Sequence, residues 1–197
     1  MTNLTPHPAR THRYITTGSG VKVMCPGMRK SMVRLRDVAH SLAMQCRYLG
    51  HVKKFYSVAE HSVLTSRLAE YFGEPSKVVK ACLLHDAHEA YIGDFPSPFK
   101  EAVPGLKLFE HSIEAAVRDA FDLPADNHDI WQSVKHYDIM MLHWEADTLF
   151  DPSPDWVEEQ VVLEIPDDHS IWCLGPDAAK VAFRKRLREL DIRCPLG

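Results

Sequence analysis

The stretch ACLLHDAHEAYIGDFP, residues 81–96, begins as the apolar half of a helix and is then interrupted by polar groups. At helical spacing, Cys82, Asp86 and Glu89 share one side, and His85 lies one position before Asp86. Burying such groups without partners would cost several kcal/mol. They therefore need a compensating partner, which other parts of the chain must help to hold.

Two further segments direct polar side chains toward an apolar face. The capping box SVAE, in which the Ser57 hydroxyl accepts from the Glu60 amide while Glu60 reaches back, starts a helix at Ser57. Its inward face carries Val58, His61, Leu64, Leu68 and Phe72. The inward face of a long helix over 129–150 carries Ile130, Val134, Asp138, Met141 and Glu145.

Four of these residues together indicate a metal site. A single inward histidine is usually a hydrogen-bonded core residue, and a single inward aspartate is usually a cap or an ion-pair partner. A divalent cation, however, offsets carboxylate charge and accepts the lone pairs of neutral imidazoles. One ion would thus account for His61, His85, Asp86 and Asp138 at once.

The remaining pattern predicts an all-α fold, a compact bundle of about five or six helices with minor irregular or β decoration. The other helices are predicted from Arg34 to Gly50, from Pro75 through HDAHEAY, across 105–121, and over AAKVAFRKRLREL (178–190), whose mixed charges are typical of a solvated face. The segment VVLEI (161–165) is compatible with a strand or a helix end. Residues 1–30 are expected to form an arm that could hold one short hairpin, and 31–197 a single domain.

Composition excludes several classes of protein. The 197 residues carry a net charge of −4 and a sequence pI near 6.3, which argues against a long nucleic acid as the main partner. Five cysteines without a CxxC pair predict neither a disulfide framework nor a thiolate zinc finger. We find neither a signal peptide nor a run of about 18 apolar residues, so a cytoplasmic protein is expected, in a bacterial cell or a phage-infected host.

The motifs resemble those of the HD superfamily of metal-dependent phosphohydrolases, and are similar to compact bacterial and phage 5′-deoxynucleotidases and phage dATP triphosphohydrolases. The resemblance spans roughly 37–150 and is carried by CRYLGH (46–51), SVAEHS (57–62), LLHDAHEAYIGDFPSPFK (83–100) and KHYDIMMLHWEADTL (135–149). It implies that His61, His85, Asp86 and Asp138 are the metal ligands, that Glu89 is the catalytic carboxylate, and that Asp94 is a second acidic group near the attacked phosphate.

The resemblance also implies where the substrate binds. Its arginine-aromatic pair falls on Arg47 and Tyr48, and this chain has the tyrosine where those enzymes typically have a tryptophan against the sugar. Arg47 could clamp a phosphate with two hydrogen bonds. Lys100, at the end of GDFPSPFK, could reach the phosphate, and Lys54 with its neighbour Lys53 could hold a triphosphate tail.

These expectations favour an enzyme that cleaves the 5′ phosphoester of a deoxynucleotide, releasing a deoxynucleoside and phosphate or polyphosphate. The alternatives are a nucleotide-binding sensor with a weakly active site and a purely structural helical protein. Nitrogen and oxygen ligands without cysteine admit cobalt, manganese, zinc, iron or magnesium. The expected partners are a small nucleotide substrate and further copies of the chain in a homo-oligomer.

Overall fold

The computed structural model describes residues 13–24, 26–125, 127–157, 165–166 and 169–194. Most of this part of the chain is helical, which confirms the predicted all-α class. The helices are α1 (Leu35–Met44), α2 (Val58–Tyr71), α3 (Ser76–Leu84), α4 (Glu89–Ile92), α5 (Ser97–Ala102), α6 (Leu106–Ala120), α7 (His128–Leu149) and α8 (Pro176–Glu189). Two short 3₁₀ helices, Lys30–Met32 and Arg47–Gly50, flank α1. Among the described helices, none has both the length and the apolar character that a bilayer crossing requires.

A hairpin precedes the helices, in agreement with the short hairpin expected in residues 1–30. Strands β1 (Tyr14–Thr16) and β2 (Lys22–Met24) pair antiparallel, with Ile15 opposite Val23. Val23 is fully buried in the helical core. The connecting turn is fastened to α1 because the Asp37 carboxylate accepts from both the Ser19 amide (2.8 Å) and the Ser19 hydroxyl (2.6 Å).

Helix α2 is the centre of the molecule. It packs against α1, α3, α7 and α8, and its apolar residues contribute to two separate core clusters. Val63 faces the cluster that includes Leu42 and Phe183, while Leu64 faces the cluster that includes Cys82 and Met141. Burial on nearly every side explains how α2 can hold a histidine completely out of solvent at position 61.

Two predicted helices are shorter than their periodicity suggested. The first ends at Met44, because Gln45 is extended and Tyr48 and Leu49 take left-handed backbone angles. The third ends at Leu84 instead of continuing through Tyr91. The apolar spacing continued through both breaks and therefore gave no sign of them.

Other details of the sequence interpretation also change. Helix α5 was not anticipated, and Phe72, expected to face inward, is 38% exposed. The face of α8 is not wholly solvated, since Arg186 is buried and pairs with Glu70 (2.9 Å). Within VVLEI, residues 161–164 lie outside the described residues.

Half of the predicted capping box is correct. The Ser57 hydroxyl accepts from the Glu60 amide (3.1 Å), as expected, but the Glu60 carboxylate does not reach back. It accepts instead from three successive amides, those of Trp172 (2.7 Å), Cys173 (2.9 Å) and Leu174 (2.7 Å). Three distant donors satisfy a buried carboxylate better than one local amide, so Glu60 fastens the segment before α8 onto α2.

We expect Glu60→Ala to lower the free energy of unfolding by about 2–4 kcal/mol, because it leaves three amides without their acceptor. Urea denaturation followed by circular dichroism measures this. The exposed Glu101→Ala on α5 is the control and should change stability by less than about 0.5 kcal/mol. Equal stability of the two variants would contradict the role assigned to Glu60.

Candidate metal centre

Four predicted ligands from three parts of the fold meet at one point. His61 comes from α2, His85 and Asp86 from the turn after α3, and Asp138 from α7. The Nε2 atoms of the two histidines are 3.3 Å apart. An Asp86 oxygen lies 3.2 Å from His85 Nε2 and 3.6 Å from His61 Nε2, and an Asp138 oxygen lies 3.7 Å and 3.4 Å from the same two atoms.

Each histidine forms a hydrogen bond through Nδ1, and this bond leaves Nε2 facing the point where the four side chains meet. His85 Nδ1 is 2.8 Å from the Cys82 carbonyl oxygen, which can only accept, so Nδ1 carries the proton. His61 Nδ1 is 2.5 Å from a Glu145 oxygen. Burial would raise the pKa of Glu145, but Arg47 and His61 hold it below its ordinary value, so this carboxylate also accepts. In the neutral rings, both Nε2 lone pairs are therefore directed at the two aspartates.

Such a set of acceptors fits a divalent cation. Two imidazole lone pairs and two carboxylates repel one another unless a proton or a metal lies between them. The same demand for positive charge appears in the pKa of His85, which burial lowers but Asp86 and Asp138 hold well above its ordinary value. A carbonyl or carboxylate on the far nitrogen is also the usual companion of a metal-binding histidine. The donor atoms are nitrogen and oxygen, as predicted.

Glu89 lies beside this centre in the first turn of α4. It is 4% exposed, and its Oε2 atom has no hydrogen-bond partner within the described part of the chain. Burial, together with the Asp86 and Asp94 carboxylates, raises the pKa of Glu89 well above its ordinary value. Glu89 is therefore a buried carboxyl group of raised pKa, which makes its carboxylate a stronger base than an ordinary one.

Asp94 is tied to the same region by a residue that sequence reasoning missed. The Gln45 side chain accepts from the Asp94 amide (3.1 Å) and donates to the Glu89 carbonyl (3.1 Å). Burial and Asp86 raise the pKa of Asp94, and Arg47 opposes this rise. Gln45 forms these two hydrogen bonds from the extended segment that follows α1. The apolar periodicity did not reveal that α1 ends before Gln45.

The arginine and tyrosine of the predicted substrate site also lie at this centre. Arg47 Nε is 3.1 Å from a Glu145 oxygen, and its Nη1 atom is 3.6 Å from Asp86. The Tyr48 hydroxyl donates to the same Glu145 oxygen at 2.7 Å. Both side chains are therefore held by one buried glutamate, which sequence analysis placed on the inward face of α7 without giving it a role.

The predicted lysines divide into two groups. Lys100 Nζ is 2.6 Å from a Glu110 oxygen, and the pKa of Lys100 is raised because Glu110, helped by Glu89, outweighs burial. By contrast, Lys54 is exposed on the segment before α2. Burial raises the pKa of the Cys173 thiol, and the positive charge of Lys54 opposes that rise. Lys53 is exposed beside it, and its amide bonds to the Leu149 carbonyl.

Glu110 on α6 was not anticipated. Its carboxylate is 3.2 Å from His88 Nε2 as well as 2.6 Å from Lys100. The hydrogen bond from His88, followed by that from Lys100, lowers the pKa of Glu110 to about 2. The residue lies 22 positions after His88, so no local motif could have linked the two.

Comparison with known proteins identifies relatives of this chain. Residues 58–149 match the HD domain family. The chain is 34% identical over 181 residues to the uncharacterized protein YfdR of Escherichia coli strain K12. The aligned region covers 90% of this chain and 96% of YfdR. The chain is also 38% identical over 100 residues to the uncharacterized protein RCAP_rcc00048 of Rhodobacter capsulatus, covering 47% of this chain and 50% of that protein.

The chain belongs to the HD domain family. Proteins with this domain are generally hydrolases that bind divalent metals, and the His61, His85 and Asp86 group offers the atoms to hold one.

We expect Co²⁺ or Mn²⁺ to raise the melting temperature of chelator-treated protein, because an ion that binds only the folded state stabilises it. His85→Ala should abolish most of this rise. His40→Ala, a change at an exposed histidine on α1, is the control and should keep it. Scanning calorimetry with and without metal measures the effect, and an equal rise in both variants would place the ion elsewhere.

The stability contributed by Glu110 should depend on pH. Its pKa in the folded protein, about 2, lies below the ordinary value of 4.5, so the contribution is present above 4.5 and is lost as the pH falls toward 2. Denaturant unfolding should therefore show Glu110→Gln less stable than wild type near neutral pH, with the difference shrinking in acid. A difference that is the same at every pH would mean that packing, not charge, is responsible.

Proposed function

We propose that this protein is a metal-dependent nucleotide phosphohydrolase that cleaves the 5′ phosphoester of a deoxynucleotide, giving a deoxynucleoside and phosphate or polyphosphate. The observation that carries the proposal is the meeting of two imidazole lone pairs and two aspartates at one point, with the buried carboxyl group of Glu89 near enough for Asp86 to help raise its pKa. When bound, a divalent cation would acidify water and polarise the phosphoryl group. The protein's own side chains supply the rest of the chemistry.

Glu89 is proposed as the general acid and base. The free Oε2 atom can receive a proton from the attacking water, and the raised pKa allows that proton to be held and then given to the leaving 5′ oxygen. A carboxylate with an ordinary pKa would be a weaker base toward that water. Asp94, held by Gln45, is proposed to orient the same water or the leaving group.

Two cations near the centre support a phosphate substrate. Arg47 and Lys100 are both anchored by glutamates, so their positions are fixed before a ligand arrives. Fixed cations stabilise the developing charge of a phosphoryl group without having to reorganise. Tyr48, on the same turn as Arg47, is proposed to face the sugar, and Lys54 to contact a longer phosphate chain.

The proposal is tested by incubating metal-reconstituted protein with each dNMP, each dNTP and the matching ribonucleotides, and separating the products by chromatography. Deoxynucleoside from monophosphates alone would identify a 5′-nucleotidase. Triphosphate released intact from a dNTP would identify a triphosphohydrolase. Nucleotide binding without product would contradict the proposal and favour the sensor function.

We expect Glu89→Gln to reduce kcat by about 100-fold or more, because a glutamine cannot transfer the proton. Co²⁺ binding should be retained, because the four predicted metal ligands are unchanged. Glu101→Gln, an exposed change on α5, is the matched control and should leave kcat unchanged. Retained turnover in Glu89→Gln would remove Glu89 from the role of acid and base.

A further inference from the structure

Glu145 is fully buried and receives two donors on each carboxylate oxygen. One oxygen lies 2.5 Å from His61 Nδ1 and accepts from the Tyr56 hydroxyl at 2.8 Å. The other accepts from Arg47 Nε at 3.1 Å and from the Tyr48 hydroxyl at 2.7 Å. We propose that Glu145 is a positioning residue that joins the Arg47–Tyr48 turn to the metal ligand His61, so that loss of its charge weakens the binding of metal and of phosphate together.

The metal side of this proposal follows from the hydrogen bond to His61. While Glu145 is a carboxylate, it keeps the proton of His61 on Nδ1 and the lone pair on Nε2, where Asp86 and Asp138 meet. It also fixes the plane of the ring. Partners of this type make a histidine a stronger ligand, and their removal typically lowers metal affinity 10- to 100-fold.

The substrate side follows from the backbone of the turn. Tyr48 and Leu49 have φ angles of 56° and 53°, which are left-handed and unfavourable for residues that carry a Cβ atom. The Tyr48 hydroxyl reaches Glu145 from this turn, while the Arg47 amide bonds to the Tyr56 carbonyl at its start. Without the carboxylate, the turn loses two of the contacts that hold Arg47 in place.

A glutamine at this position cannot replace the carboxylate on both sides. Its single oxygen can accept from the His61 and Tyr56 side or from the Arg47 and Tyr48 side, and its amide group then faces donors on the other. Glu145→Gln therefore keeps the volume of the side chain, breaks one of the two connections, and leaves a neutral and weaker acceptor on the other.

The chain offers a matched control in Glu60, a second fully buried glutamate, whose partners are the amides of 172–174. The probes are Co²⁺ alone, followed by visible absorption, and inorganic phosphate, followed by calorimetry on Co²⁺-saturated protein. We expect Glu145→Gln to weaken Co²⁺ binding 10- to 100-fold and to weaken phosphate binding clearly. Glu60→Gln should lower the melting temperature but leave both affinities near the wild-type values. Wild-type Co²⁺ affinity in Glu145→Gln, or equal losses in both variants, would overturn the inference.

Two milder variants decide the matter if Glu145→Gln does not fold. Tyr48→Phe and Tyr56→Phe each remove one hydroxyl from a different oxygen of Glu145. Tyr48→Phe should weaken phosphate binding more than Co²⁺ binding, and Tyr56→Phe should do the reverse. Wild-type affinities in both would overturn the inference.

The phosphate part rests on the proposed function, and the metal part does not. A wild-type protein that binds Co²⁺ but no phosphate would contradict the proposed function. The Co²⁺ affinities of Glu145→Gln and Glu60→Gln would still decide whether Glu145 positions His61.

Discussion

The negative charge of Asp86 and Asp138, concentrated between packed helices beside two imidazole lone pairs, is the constraint on which the rest of this structure depends. A helical core of this kind would ordinarily exclude such a group of acceptors. Here two cations accompany it: Arg47 lies 3.6 Å from Asp86, and Lys100 is near enough for Asp86 to help raise its pKa. Each of these cations is in turn paired with a glutamate, so the positive charges are fixed as firmly as the negative ones.

The breaks in the helices are what bring these groups within reach of one another. If α3 continued as a regular helix, Glu89 would lie about one helical turn after His85 on the same helix. Instead the chain turns over 85–88 and begins a new helix at Glu89. In the same way, the end of α1 at Met44 releases Gln45 to hold the segment after α4. The departures from regular structure thus occur where the site is built.

Much of this arrangement could be predicted from the sequence, because apolar spacing defines the inner face of a helix and any polar residue on that face stands out. His61, Asp138 and Glu145 were all placed inward in this way, and each is at least largely buried. Periodicity cannot reveal where a helix breaks, since the apolar pattern continues through the turns at both breaks. It also cannot pair residues that are far apart, as Glu60 with 172–174 and Glu110 with His88 show.

Glu60 lies one residue before His61, and its carboxylate is satisfied by the chain that precedes α8. The region shared with the HD domain family, 58–149, contains the four predicted ligands but not these amides, nor Arg47 and Gln45. A fragment cut to the family region would therefore carry the donor atoms without Arg47, Gln45 and the chain that satisfies Glu60. The unit that can be transplanted or redesigned is larger than the family region, and it includes the chain on both sides.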